Sequence, residues 1–180
     1  MKIVDIFAVI DNTLYSVVFD VTQERSEFSR LFDFWNDAEQ LRNFFEKNKE
    51  DLNDTYWEGI TIEEAINKTR EEAKDLERLL LSYAKGENPK ENLSMLFKPL
   101  SNKVEKKYEK DKAKVSGKKT WLRLYAVRID VNLFVVCGGA IKLRKTMNDR
   151  DYLKIELEKL DITQKYLREN DADELDFVEL

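Results

Sequence analysis

Two long runs of β-type residues dominate the chain between positions 120 and 144: TWLRLYAVRID at Thr120–Asp130 and LFVVCGGAIKLR at Leu133–Arg144. β-branched and aromatic side chains fit a pleated, half-buried surface, and a connection as short as Asp130–Asn132 makes the two runs antiparallel neighbours. Alternation puts Trp121, Arg123, Tyr125 and Val127 on one face of the first run and Leu122, Leu124, Ala126 and Arg128 on the other. Gly138-Gly139 inside the second run marks a bulge or a close backbone approach. Upstream, Ser116-Gly117-Lys118-Lys119 reads as a hairpin turn. Residues 103–115 leave two readings open: Val104 with Tyr108 fits a helix, whereas alternation from Tyr108 to Ala113 fits an edge strand. A strand at 106–115 would complete a three-stranded antiparallel meander, the arrangement expected here.

The remainder mixes strands and helices. Lys2–Ile10 and Leu14–Asp20 flank the turn-prone pair Asp11-Asn12 and read as a β-hairpin. A short helix is expected over Glu24–Leu31. Another runs over Asp37–Lys49 with Asn36 as N-cap, Glu39 in capping-box spacing and Leu41, Phe44 and Phe45 as its apolar stripe, Trp35 and Trp57 being core aromatics near its ends. Thr61-Ile62-Glu63-Glu64 is a second capping box, opening a helix whose apolar stripe runs from Ala65 to Tyr83 and stops at Gly86 and Pro89. A last helix is expected from about Asp149, capped by Asn148, to Asn170. The fold class is therefore α+β, and 180 residues suit one domain with a sizeable core.

Composition excludes several chemistries. The chain has no histidine, which removes His-based zinc sites and the Ser-His-Asp triad, so acid–base work falls to Lys, Arg, Tyr, Asp or Glu. Cys137, the one cysteine, cannot form an internal disulfide and reads as a small buried hydrophobe. No metal and no cofactor are expected. The longest apolar run in the C-terminal half, Leu133–Ala140, is far short of the roughly 20 residues of a spanning helix, and Asp5 and Asp11 interrupt any secretory core. A cytoplasmic location, away from membranes, is the expectation.

Charge is unevenly spread. Lys98–Lys145 carries 14 Lys or Arg against four acids, a net of +10, while the whole chain is at −5, which leaves −15 elsewhere. Such asymmetry favours an anionic partner at the basic segment. The basic turn (Lys112, Lys114, Lys118, Lys119), the strand arginines Arg123 and Arg128, and Lys142-Leu143-Arg144-Lys145 can form one cationic surface, with Tyr108, Trp121 and Tyr125 available to stack on bases. Arg123 and Tyr125 share a face, and because an arginine is costly to bury, the pair is expected to point outward.

The strand pattern Leu122-Arg123-Leu124-Tyr125, followed by an apolar strand and Gly139-Ala140-Ile141-Lys142-Leu143-Arg144-Lys145-Thr146, resembles the RelE/ParE/HigB-like toxins of bacterial type II toxin–antitoxin systems over about residues 100–170. The resemblance implies a small twisted antiparallel sheet packed by helices; this chain departs from the family by a helical insertion over residues 35–98 in its N-terminal half, and its composition makes 171–180 an acidic tail. It implies an mRNA endoribonuclease, metal-independent, acting on or off the ribosome and neutralised by an antitoxin, one with a helix-turn-helix being expected. Matched onto this chain, Arg123, Tyr125 and Arg144 would be catalytic, and Lys118, Lys119, Arg128, Lys142 and Lys145 would hold nucleic acid. The alternative is a non-catalytic binding module, either a ParE-like topoisomerase inhibitor or a phage- or defence-related adaptor.

Overall fold

The computed structural model describes residues 1–22, 24–53, 55–57, 59–101, 107–145 and 150–170. Six strands form one sheet: β1 (Ile3–Ile10), β2 (Leu14–Phe19), β3 (Phe97–Pro99), β4 (Glu109–Ala113), β5 (Leu122–Asp130) and β6 (Leu133–Ile141), in the order β1-β2-β6-β5-β4-β3. The expected meander is present as β4-β5-β6, and the expected hairpin as β1-β2. What the sequence did not announce is their union. β2 pairs with β6 in parallel, Leu14 opposite Phe134 and Ser16 opposite Val136, so the sheet is mixed and larger than a small antiparallel one. Parallel neighbours need a long crossover, and the helical segment between β2 and β3 supplies it.

Helices cover both faces. On one lie α1 (Glu27–Asn36), α2 (Ala38–Lys47), α3 (Lys49–Leu52) and the long α4 (Ile62–Lys85); on the other lies α5 (Asp151–Glu169). The first core joins Trp35, Phe45, Leu76 and Leu80 to Trp121, Leu124, Ala126 and Phe134. The second joins Leu153, Leu160 and Leu167 of α5 to Phe19, Tyr125, Val127 and Val135. Burying large apolar side chains stabilises by about 1.5–3 kcal/mol each, enough to fix the strand register because a one-residue slip would exchange the two faces.

Local chemistry explains the element boundaries. Thr61 and Glu64 form the reciprocal capping box at the start of α4, and Gly86 ends it at φ +67°, where a side chain would be strained. α2 is capped by Asp37, not Asn36: the Asp37 carboxylate accepts from the Glu39 and Gln40 amides, while Asn36 turns back to donate to Phe32 O. α1 extends beyond the expected Leu31 to Asn36, because Phe32 and Trp35 continue its buried stripe. The ambiguous segment before the Ser116 turn is a strand at Glu109–Ala113, and residues 102–106 lie outside the described residues. So do Asn148 and Asp149 at the expected start of the last helix, and the acidic tail 171–180. Among the described residues, no helix is long and apolar enough to cross a membrane.

Gly138-Gly139 is both a bulge and a close approach. β6 skips a residue between Val136 and Gly138 opposite Ala126 and Tyr125, a Cβ on Gly138 would collide with the Glu156 carboxylate, and one on Gly139 would come within 2.9 Å of Leu31, Trp35 and Arg123 O.

Candidate anion-binding site

β4 ends, β5 begins and β6 ends at the same edge of the sheet, so strand direction alone gathers the basic turn, Arg123 and Lys142–Lys145 there. Several contacts shape that end. Glu72 of α4 accepts the Trp121 and Leu122 amides at 3.1 and 3.0 Å, and Lys68 stands 2.8 Å from its other oxygen. Trp121 Nε1 donates to Thr69 Oγ1 at 3.1 Å, and Trp57 Nε1 donates to Leu143 O at 3.0 Å. Trp121 is therefore a core residue wedged between Phe45 and Trp57, with no ring face to offer a base.

Arg123 is the feature that stands apart. Its partly buried guanidinium donates through Nη1 to Leu122 O at 2.7 Å and to Thr120 O at 3.1 Å, with Thr120 Oγ1 at 3.4 Å. Among the described residues it forms no ion pair with a carboxylate. Burial holds its pKa below that of an ordinary arginine, opposed by the more distant Tyr125, Glu72 and Tyr56 groups. Lys112, opposite Tyr125 in the β4-β5 ladder, is likewise lowered by burial and then by the like charges of Arg123 and Lys114. Three cations thus share one corner of the α5 face, and their charge is only partly offset within the fold. An anion would relieve the repulsion and replace lost hydration.

The other expected site residues divide. Tyr125, expected beside Arg123 at the surface, is 1% exposed in the core under α5, and burial raises its phenol far above the ordinary tyrosine value. The strand face that begins at Arg123 near the open end is covered by α5 one position further on, which parity alone cannot reveal. Arg144 is held by Asp51: its Nε lies 2.7 Å from Oδ1, and Arg150 binds the same buried carboxylate at 2.6 and 3.0 Å. Arg128 belongs elsewhere altogether. It lies on the opposite face of β5 from Arg123, about 17 Å further along the strand, pairs with buried Asp111 at 2.5 and 3.0 Å and covers the Phe134 ring. The single cationic surface expected from sequence is therefore smaller than the count of basic residues implied.

Lys118 is exposed and only loosely paired with Asp75 at 3.5 Å, and Lys145 is exposed. Lys142 is partly buried, its backbone amide bonded to Trp121 O. Lys119 leans over the rings of Tyr56, at 4.0 Å, and Trp57, at 5.1 Å. Tyr56 is the site residue that sequence reading missed, although its signal exists: in the single 3-10 turn Thr55–Trp57, two adjacent bulky rings cannot both turn into one core. Tyr108, a further expected stacking residue, lies at the opposite end of the sheet, beside Arg128 O and Gln164 of α5.

A second ionic cluster sits where β2 and β6 part after Ser16 and Val136. Lys159 Nζ lies 2.8 Å from Glu27 Oε2 and 2.9 Å from Glu156 Oε1; Arg30 clasps Glu27, and Gly139 N–H donates to Glu156 Oε2 at 2.8 Å. Cys137, fully buried beside it, has its thiol pushed up by burial and the Glu156 charge, which leaves it inert. Every charge in this cluster has a counter-charge, so it holds structure together. Among the described residues, no group of three or more His, Cys, Asp or Glu stands ready to hold a metal ion. No protein-family model, curated protein or solved structure matches the chain.

Proposed function

We propose that this protein is a binding module that holds RNA through the cationic end of its sheet, with Arg123 as the central phosphate contact. The carrying observation is the charge at that corner: a partly buried guanidinium bonded to backbone and hydroxyl oxygens, beside Lys112, with which it shares a mutual repulsion and which Lys114 also repels. A partly buried guanidinium without a carboxylate partner contributes little to stability, because its desolvation is offset only by hydrogen bonds to neutral oxygens. A phosphate chain supplies the missing counter-charges at regular intervals. Lys114, Lys118 and Lys145, exposed around the same end, would extend the contact along the backbone.

Cleavage of that RNA, as the toxin resemblance implies, is the second reading. The β4-β5-β6-α5 order favours it, since it follows the strand and helix order on which the resemblance rests. Against it, Tyr125 is buried and Arg144 is engaged by Asp51, so the three expected catalytic side chains do not converge.

The test is fluorescence anisotropy with a short labelled RNA between about 50 and 200 mM salt, where affinity falls steeply if phosphates are neutralised. Arg123→Met is expected to weaken binding about ten-fold and to lower the slope of log K against log salt by about one. Wild-type affinity that is absent, or indifferent to Arg123→Met, would sink the proposal. Mapping RNA ends in the same samples separates the two readings, because new ends that vanish with Arg123→Met belong to a nuclease.

A further inference from the structure

Among the described residues two aromatic side chains, Phe7 and Tyr56, are substantially exposed, and they stand in different electrostatic settings. Phe7, at 39%, faces a groove of about 690 Å³ lined by Glu24, Asp33 and Glu77 against the single cation Arg25, itself paired with Asp33, a net negative setting that disfavours a phosphate chain. Tyr56, at 51%, stands among cations. Its ring meets the buried Trp57 edge-on, with centroids 4.7 Å apart and planes at 87°, and Trp57 is itself anchored to Leu143 O. The Lys119 ammonium lies 4.0 Å from the Tyr56 centroid and also donates to Tyr56 O, so side chain and backbone are tied together. Arg123 lies within electrostatic reach of the Tyr56 hydroxyl. Tyr56 is thus held by Trp57 and Lys119 while half of the residue stays exposed, and the phosphate contact is near.

We propose that Tyr56 is a base-stacking platform and that the RNA bound here is single-stranded: an unpaired base lies on the Tyr56 ring while its backbone runs over Arg123 and Lys112. Stacking needs an exposed base face, which a duplex withholds, and it tolerates any base because each has a π-surface. Lys119 beside the same ring adds a cation to the stack and fixes the ring before ligand arrives. This inference rests on the RNA-binding reading above.

The experiment compares three ligands of equal length by anisotropy: oligo(U), its abasic ribose-phosphate counterpart and an RNA duplex. With wild type, oligo(U) is expected to bind most tightly. Tyr56→Ala is expected to lose about ten-fold on oligo(U) and nothing on the abasic chain or duplex, while Tyr56→Trp, which enlarges the platform, tightens oligo(U) without depending on any loss of fold. If Tyr56→Ala and Tyr56→Trp leave oligo(U) unchanged while Arg123→Met still weakens every ligand, the stacking inference falls and the RNA reading stands. If wild type binds none of the three, the RNA reading falls and takes this inference with it.

Discussion

Lys159 and Arg123 both reach into the α5 face of the sheet, yet the fold treats them in opposite ways. Lys159 lies between two carboxylates, Glu27 and Glu156, and Arg30 closes the far side of Glu27. Arg123 lies on backbone carbonyls beside Lys112, which Lys114 also repels. The first arrangement costs desolvation and offsets much of it with paired opposite charges; the second has no carboxylate partner among the described residues. A buried charge with counter-charges explains itself as structure, and one without them asks for a ligand.

The largest expected effect comes from breaking the matched cluster. Lys159→Met leaves Glu156 as a buried carboxylate without its counter-ion, and urea unfolding is expected to show a loss of about 3–5 kcal/mol. An unchanged midpoint would mean that this cluster is no more structural than Arg123.

An intermediate effect lies in the pH dependence of the same cluster. Burial raises the Glu156 pKa above the ordinary value of 4.5, with Lys159 opposing. The native state then holds that proton more tightly than the unfolded chain, so the resulting stability is present below the unfolded pKa and fades as pH rises through the folded one. Wild type is therefore expected to lose stability relative to Glu156→Gln as pH rises from 4 to 7, measured by urea unfolding of both proteins across that range. A stability gap that stays flat over this range would show that Lys159 fully compensates the carboxylate.

The smallest effect sharpens the contrast from the other side. Arg123→Met removes a charge that no carboxylate pairs with among the described residues, so the unfolding free energy is expected to stay within about 1 kcal/mol of wild type or to rise. A large loss of stability would place Arg123 with Lys159 as a structural cation and remove the basis of the proposed RNA contact.

Much of the local structure was legible in the sequence. The hairpin around Asp11-Asn12, the β5-β6 pair, the capping box of Thr61 and the Gly86 stop each follow from chemistry within a few neighbouring residues, and each is present. The bulge at Gly138-Gly139 was legible for the same reason, although the carboxylate that requires it, Glu156, lies on a helix that the sequence does not connect to it. The parallel β2-β6 pairing was not legible, because a crossover of more than a hundred residues leaves no local mark. The candidate site was read in part. The basic residues were identified and the end of the sheet that gathers them follows from antiparallel order, but which of them are neutralised depends on Asp51 and Asp111, acids that lie on other elements.

By itself, the sequence determined five of the six described strands, the rough extent of the long helices and the excess of positive charge over residues 98–145, because propensity, capping and composition act over short distances, whereas the three-residue β3 left no such mark. Tertiary structure alone decided that Tyr125 is buried while Arg123 beyond it reaches the open end, that Arg144 and Arg128 are matched by buried aspartates, and that Tyr56 joins the cationic corner. Burial and counter-charge are properties of the partner that packs against a residue, and those partners come from 17 to 93 positions away along the chain.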